Sequence, residues 1–160
     1  MIKHAFPPLV NARSRILILG TMPSEKSLEY QQYYGNKQNR FWTILFRVFQ
    51  REFSEDYQRR KQLLVDFDLA LWDVLECCER KGSLDSEIKA EKPNDIAALL
   101  KAYPQIKTIV FSSKNAEKFF SKYAERIPEI EYVTLPSPSG AYASMRLDEK
   151  IENWKIITQL

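Results

Sequence analysis

Two short apolar runs, each followed directly by glycine, proline and serine, constrain the fold of this chain most. Ile16-Leu17-Ile18-Leu19 precedes Gly20-Thr21-Met22-Pro23-Ser24, and Tyr132-Val133-Thr134-Leu135 precedes Pro136-Ser137-Pro138-Ser139-Gly140. A short apolar run bounded by turn residues is typical of a buried strand. In an open parallel sheet, ligands bind outside the carboxyl ends of the strands. The two loops therefore predict one pocket that is lined by backbone groups and suits an anion.

The remaining apolar patterns predict strands that alternate with helices. Four strands are expected, at residues 15–19, 69–74, 107–111 and 131–135. Helices are expected from Asn39 onward and at residues 55–65, 94–102, 114–125 and 147–158, with Asn94 or Asp95 as a cap. Residues 24–38 read as a long loop or irregular helix, and residues 77–90 as a loop. This order indicates an α/β protein, a three-layer αβα sandwich with a mostly parallel four-stranded central sheet.

Length and composition point to a single globular domain. The 160 residues are enough for one good core, and 44% hydrophobic with 28% charged residues is ordinary for such a domain, so residues 1–160 are expected to form one unit. No apolar run approaches the roughly 20 residues that a membrane helix needs, and residues 1–8 lack the apolar core of a signal peptide. We therefore expect a cytoplasmic protein without a membrane partner. The net charge of +3 permits nucleic-acid binding without indicating it.

The scarcity of histidine and cysteine limits the chemistry. His4 is the one histidine, which excludes multi-histidine metal sites and leaves a Ser-His-Asp triad a single possible base. Cys77 and Cys78 are adjacent, so they rarely bridge each other, and alone they form no metal motif. We expect reduced thiols, no metal and no cofactor.

Three segments together resemble the uracil-DNA glycosylase superfamily. They are Gly20-Thr21-Met22-Pro23-Ser24, Tyr33-Tyr34-Gly35-Asn36-Lys37-Gln38-Asn39-Arg40-Phe41-Trp42 and Leu135-Pro136-Ser137-Pro138-Ser139. The hypoxanthine-DNA glycosylase branch is the most similar, because Trp72-Asp73-Val74 and Arg80-Lys81-Gly82-Ser83-Leu84-Asp85-Ser86 also resemble it. The resemblance implies an αβα monomer that flips a damaged base out of DNA and cleaves its glycosidic bond without a metal. Extrusion into a snug pocket, stacking on an aromatic ring and donors aimed at the departing base are the physical requirements of that reaction.

The resemblance implies that Asn39 is the catalytic residue. Its amide carbonyl would orient a water for attack at the sugar carbon. From its position alone, just before an apolar stripe at helical spacing, Asn39 is also expected to be a helix N-cap, and the two roles are compatible. Met22 stands where other branches place an Asp or Asn that handles the water, which leaves that task to Asn39. Met22 is also expected to pack under the strand end.

The other expected contacts lie on the strand-end loops. The resemblance implies that Tyr34, with Tyr33 as the alternative, stacks on the flipped base, although a packed loop tyrosine is also possible. Ser112 and Ser113 replace an Asn-Gly pair of the family, and one hydroxyl offers less than the two-sided fork of an amide. The expected substrate-binding residues are Gly20, Thr21, Met22, Pro23, Ser24, Tyr34, Ser112 and Ser113. The expected DNA-binding residues are Ser137, Pro138, Ser139 and Gly140, of which the serines are alternatively simple turn formers.

Three functions are compatible with these features. The leading one is a monofunctional DNA glycosylase that removes a deaminated base, hypoxanthine or uracil, from DNA. A noncatalytic member that binds damaged or single-stranded DNA is the second. The third is a small α/β enzyme for a free nucleotide, although no Walker or dinucleotide glycine pattern is present.

Overall fold

A parallel sheet of four strands forms the centre of the computed structural model, which describes residues 1–160. The strands are β1 Ile2–His4, β2 Ile16–Gly20, β3 Leu69–Asp73, β4 Leu75–Glu79, β5 Lys89–Pro93, β6 Thr108–Phe111 and β7 Glu131–Thr134. The helices are α1 Glu25–Tyr30, α2 Phe41–Val48, α3 Tyr57–Asp66, α4 Ile96–Ala102, α5 Lys114–Tyr123 and α6 Leu147–Trp154. The central order is β3-β2-β6-β7, and every neighbouring pair is parallel.

The buried strand β2 shows why the fold has three layers. Ile16 and Ile18 pack into a core with α2, α3 and α6, whereas Leu17 and Leu19 pack into a second core with α4 and α5. All five residues of β2 are buried, as expected for a parallel strand covered on both faces. The predicted three-layer αβα sandwich is therefore confirmed.

The prediction of a loop at residues 77–90 is wrong at both ends of the segment, where residues 77–79 belong to β4 and residues 89–90 to β5. Strand β4, a 3-10 turn at Asp85–Glu87 and the start of β5 occupy this segment, and β4 lies between β1 and β5 in a small antiparallel sheet. The segment carries few β-branched or aromatic residues, so its local strand signal is weak. Pairing with β1, far away in sequence, supplies the backbone hydrogen bonds that local preference does not predict.

Other differences concern the ends of helices. Residues 24–38 contain the short helix α1, which Ser24 caps by accepting a hydrogen bond from the N–H of Ser27. Asp95 caps α4 by accepting one from Ala98, as one of the two predicted alternatives requires. The last helix ends at Trp154 and continues as the 3-10 turn Lys155–Gln159. None of the helices combines the length and apolar composition needed to cross a membrane.

The strand order fixes where a ligand can enter. The chain places β3 on one side of β2 and later crosses to place β6 on the other side. Such a switch of direction leaves a crevice at the carboxyl ends of the strands. Gly20, Asp73, Phe111 and Thr134 end the four central strands at this edge.

Candidate active site at the carboxyl edge of the sheet

A cavity of about 580 Å³ opens at this edge of the sheet. This volume lies in the range of small-molecule sites, and a nucleobase fits within it. The cavity brings together twelve of the thirteen predicted site residues: Gly20, Thr21, Met22, Pro23, Ser24, Tyr34, Asn39, Ser112, Ser113, Ser137, Pro138 and Ser139. Four loops that are distant in sequence thus meet at one place.

Gly140 is the predicted site residue that lies outside this cavity. It lines a separate, shallower depression with Gln38, Arg40 and Lys150. A Cβ atom at Gly140 would lie 2.8 Å from the backbone oxygen of Gln38. The absence of a side chain therefore lets the two loops touch, and Gly140 does not line the cavity.

The side chain of Asn39 combines a structural contact with access to the cavity. Its Oδ1 accepts a hydrogen bond from the backbone N–H of Phe41 at 2.9 Å. The N-cap itself is Arg40, whose carbonyl accepts from Ile44, so the predicted cap is wrong by one residue. Asn39 is half-buried and lines the cavity. A carboxamide oxygen has two lone pairs, so one remains to receive a hydrogen bond from a water.

A backbone hydrogen bond holds the loop that carries Asn39 against the loop after β7. The backbone N–H of Arg40 donates to the carbonyl of Pro138 at 2.8 Å. The indole Nε1 of Trp154, in α6, donates to the carbonyl of Pro136 at 2.8 Å. These bonds fix the distance between Asn39 and the serine-rich loop, so both walls of the cavity are positioned by the packed core.

Ser137 and Ser139 shape their own loop. The Oγ of Ser137 accepts from the N–H of Ser139, and the Oγ of Ser139 accepts from the N–H of Ala141, at 3.2 and 3.1 Å. The buried ammonium of Lys150 donates to the carbonyl of Ser139, and burial lowers the pKa of Lys150. The serines are turn formers, and each hydroxyl still has its proton to donate to a phosphate.

The structure separates the roles of Tyr33 and Tyr34. The Tyr33 ring is buried in the core, and its hydroxyl donates to the carbonyl of Pro7 at 2.8 Å. The Tyr34 ring lies parallel to Phe41, with centroids 3.8 Å apart, and its hydroxyl donates to Ser112 Oγ at 3.1 Å. Since Phe41 covers one face of Tyr34, a base that stacks on this ring would have to use the opposite face.

Asp73 lies at the floor of the cavity, and sequence reasoning did not select it. A Cβ atom at Gly20 would lie 2.7 Å from Asp73 Oδ1, 3.1 Å from the Tyr34 hydroxyl and 3.6 Å from Ser112 Oγ. These three side-chain oxygens therefore lie close together beside Gly20, where the side chain of any other residue would collide with Asp73. Asp73 is only 5% exposed, and its Oδ2 has no hydrogen-bond partner. The signal in the sequence was one ionisable residue at the end of an apolar strand.

Burial and, to a smaller extent, the charge of Asp85 raise the pKa of Asp73, whereas Arg80 lowers it, and the net result is a pKa of about 7. Burial also raises the pKa of Asp85, which lines the same cavity. Arg80 is itself buried and donates to the backbone carbonyls of Pro23 and Gly82, so it braces the first loop. At about pH 7, the carboxyl group of Asp73 is therefore present in both its protonated and its ionised form.

Sequence reasoning missed other residues of the cavity wall. They include Ser27, Asn36, Ser83, Asp85, Lys114, Asn115, Thr134, Tyr142, Met145 and Asn153. Ser113 lines the wall, but its Oγ caps α5 by accepting from the N–H of Ala116 at 3.0 Å. No group of three or more His, Cys, Asp or Glu side chains is arranged to hold a metal ion.

The fold and cavity define an α/β protein whose strand-end loops enclose a polar cavity that Tyr34 lines. Residues 7–158 match the family model of the uracil DNA glycosylase superfamily. The chain belongs to this superfamily, which confirms the resemblance seen in its motifs.

Individual relatives resemble between three quarters and nearly all of the chain. A hypoxanthine DNA glycosylase from Methanosarcina acetivorans is 32% identical over 159 residues, which is 98% of this chain and 98% of the relative. A hypoxanthine DNA glycosylase from Methanosarcina barkeri is 34% identical over 120 residues, 74% of this chain and 76% of the relative. The solution NMR structure of a candidate uracil DNA glycosylase from Methanosarcina acetivorans has a TM-score of 0.80 and 31% identity, covering 98% of this chain and 96% of that chain.

Proposed function

We propose that this chain is a monofunctional DNA glycosylase that hydrolyses the N-glycosidic bond of hypoxanthine in DNA. One observation carries the proposal: Asn39, Tyr34 and Ser112 line a single cavity that has room for a base, and Tyr34 donates a hydrogen bond to Ser112. The printed names of the two Methanosarcina relatives support hypoxanthine as the base. Membership of the superfamily supports DNA as the substrate.

The geometry supports a simple division of tasks. The damaged nucleotide leaves the duplex, and its base enters the cavity against the free face of Tyr34. The Asn39 oxygen accepts a hydrogen bond from a water and orients it toward the sugar carbon C1′. The water oxygen bonds to C1′ as the C1′–N9 electron pair leaves with the base. The water loses one proton and the base gains one, so free hypoxanthine and an abasic site result.

The serine-rich loop supports a role in holding the DNA backbone. The free hydroxyl protons of Ser137 and Ser139 can meet phosphate oxygens, while Lys150 holds the loop through the carbonyl of Ser139. Such contacts position the strand but carry no sequence information. We also expect a monomer that works in the cytoplasm, where Cys77 and Cys78 would stay reduced. Light scattering of the purified protein would test the monomer.

Excision from labelled duplexes tests the proposal. Duplexes that contain hypoxanthine, uracil, ethenoadenine or only normal bases are incubated with the protein, and alkali then breaks the strand at any abasic site. We expect cleavage of the hypoxanthine strand, no cleavage of the normal strand, and loss of cleavage in Asn39→Ala. Binding of the hypoxanthine duplex without any cleavage would contradict the proposal and would favour the noncatalytic DNA-binding alternative.

A further inference from the structure

Asp73 is a buried acid that the mechanism above does not use. Its carboxyl group is at the cavity floor, and Oδ2 accepts no hydrogen bond from the protein. Buried polar side chains nearly always have a hydrogen-bond partner, so each exception needs an explanation. No lysine, arginine or histidine forms an ion pair with Asp73; the ion pairs of this chain involve other acids. Oδ2 is enclosed by the protein, so a ligand in the cavity can reach this carboxyl group only through Oδ1, which no hydrogen bond of the protein occupies.

The surroundings of Asp73 favour a ligand with a polar edge. Asp73 Oδ1, the Tyr34 hydroxyl and Ser112 Oγ all lie within 3.6 Å of the Cβ position that Gly20 leaves empty. Tyr34 already donates its proton to Ser112, so Ser112 keeps its own hydroxyl proton for another acceptor. The floor therefore offers one hydroxyl donor, that of Ser112, beside a carboxyl group in a cavity that has room for a base.

Deamination changes the base in a way that this floor can detect. It replaces an amino group, which donates hydrogen bonds, with a carbonyl oxygen, which accepts them. A protonated carboxyl donates through its O–H, whereas an ionised carboxylate only accepts. We propose that Asp73, in its protonated form, donates a hydrogen bond to the carbonyl oxygen of the flipped deaminated base and is a specificity-determining residue. This inference rests on the proposed function.

The same hydrogen bond would favour cleavage. When the glycosidic bond breaks, its electron pair places negative charge on the base, and part of that charge reaches the carbonyl oxygen. A fixed donor at that oxygen becomes stronger as the charge grows, which stabilises the transition state more than the bound substrate. An ionised Asp73 would instead repel the departing base.

The charged and titratable groups around Asp73 decide when it carries a proton. Burial and the carboxyl of Asp85 raise the pKa of Asp73, Arg80 lowers it, and the result is about 7. Tyr33 and Tyr34 also face it, and burial raises the pKa of both hydroxyls, so they stay neutral. Recognition should therefore weaken as the pH rises above neutrality.

The test is the pH dependence of hypoxanthine excision under single-turnover conditions. For the wild-type chain, we expect kcat/KM to fall toward tenfold per pH unit above about pH 7. Asp73→Asn keeps a donor that does not titrate, so its profile should stay flat over the same range. Asp85→Asn removes the charge that helps to hold the proton, so the fall should begin at lower pH. Asp66→Asn changes an exposed acid before β3, far from the cavity edge, and should follow the wild type.

A second measurement separates base recognition from a structural role. Asp73→Ala should reduce excision at least tenfold, while its affinity for a duplex with an abasic site, which has no base to read, stays unchanged. Circular dichroism melts establish that each variant is folded. Should Asp73→Asn show the same alkaline fall as the wild type, or should Asp73→Ala excise hypoxanthine normally, the inference is wrong although the proposed function stands. A wild-type chain that never excises hypoxanthine overturns the proposed function and this inference with it.

Discussion

Replacing Asp73 with asparagine should change how the stability of the folded chain depends on pH. The pKa of this carboxyl rises from its ordinary 3.8 to about 7 because folding buries it. As the pH rises, Asp73 therefore loses its proton in the unfolded chain before it does so in the folded chain. Between the two pKa values, the folded state binds more protons than the unfolded state. Stability must then fall as the pH rises from about 4 to about 7, and it stays low above that range.

The size of this effect follows from the pKa difference. Three pH units at about 1.4 kcal/mol each give a total penalty of about 4 kcal/mol for the fully ionised folded state. Urea unfolding of the wild type and of Asp73→Asn at about pH 5 and about pH 8 samples most of this range. The free energy of unfolding should fall by about 2–3 kcal/mol more in the wild type than in the variant. Other titrating groups, Asp85 among them, contribute to both proteins and largely cancel.

Asp66→Asn is the control for this comparison. Hydrogen bonding from Gln62 lowers the pKa of Asp66, which is also paired with Arg51, so its stabilising contribution is complete well below pH 5. Asp66→Asn should therefore shift stability equally at both pH values. If the wild type and Asp73→Asn change in parallel between the two pH values, Asp73 is not a buried, proton-holding acid, and the reasoning about the cavity floor fails.

Four further changes test the remaining parts of the site. Asn39→Ala should lose most excision while binding of the damaged duplex persists, and normal cleavage by this variant would exclude a catalytic role of Asn39. Asn39→Asp keeps an acceptor for the Phe41 N–H, so it should melt at the wild-type temperature. Tyr34→Ala should weaken binding of the flipped base by about 1–3 kcal/mol and Tyr34→Phe by less, since stacking survives; equal affinities in a titration would exclude stacking. Ser112→Asn combined with Ser113→Gly should change the relative rates on hypoxanthine and uracil, and unchanged ratios would show that this strand end does not read the base. Excision should persist in excess chelator, and loss that a divalent ion restores would contradict a metal-free reaction.

The parts of the fold that sequence predicts are those with strong local signals. The run Ile16-Leu17-Ile18-Leu19 predicts a strand buried on both faces. Successive side chains of a strand point to opposite faces, so four consecutive apolar residues are all buried only if both faces are covered. Strand β4 carries no such run, and its partner β1 is more than 70 residues away in sequence. Its formation depends on long-range pairing, which the local pattern of residues 75–79 does not contain.

The site shows the same division between local and long-range information. Loops rich in glycine, proline and serine mark the carboxyl edge, and together with the family resemblance they predict twelve of the residues that line the cavity. The choice between Tyr33 and Tyr34 depends on the backbone turn at Tyr34, whose φ of 54° lies in the left-handed region. That turn sends neighbouring side chains to different places, one into the core and one to the cavity. The role of Asp73 is harder still to predict from sequence, because a single acid at the end of a strand usually marks a solvated turn. Only the packed structure shows that Asp73 is buried.

The structure also changes how the missing Asn-Gly pair is understood. One serine hydroxyl cannot satisfy both a donor and an acceptor on the edge of a base, so Ser112 alone would read the base weakly. Asp73 ends the strand on the other side of β2, and both side chains approach the space above Gly20. A carbonyl oxygen has two lone pairs and can accept from both the Ser112 hydroxyl and a protonated Asp73. An amino group of an undamaged base would face the same two donors, and it could bind only if one of them turned away or lost its proton. On the proposed function, the hydroxyl of Ser112 and the protonated carboxyl of Asp73, at strand ends on either side of β2, would together replace the missing amide.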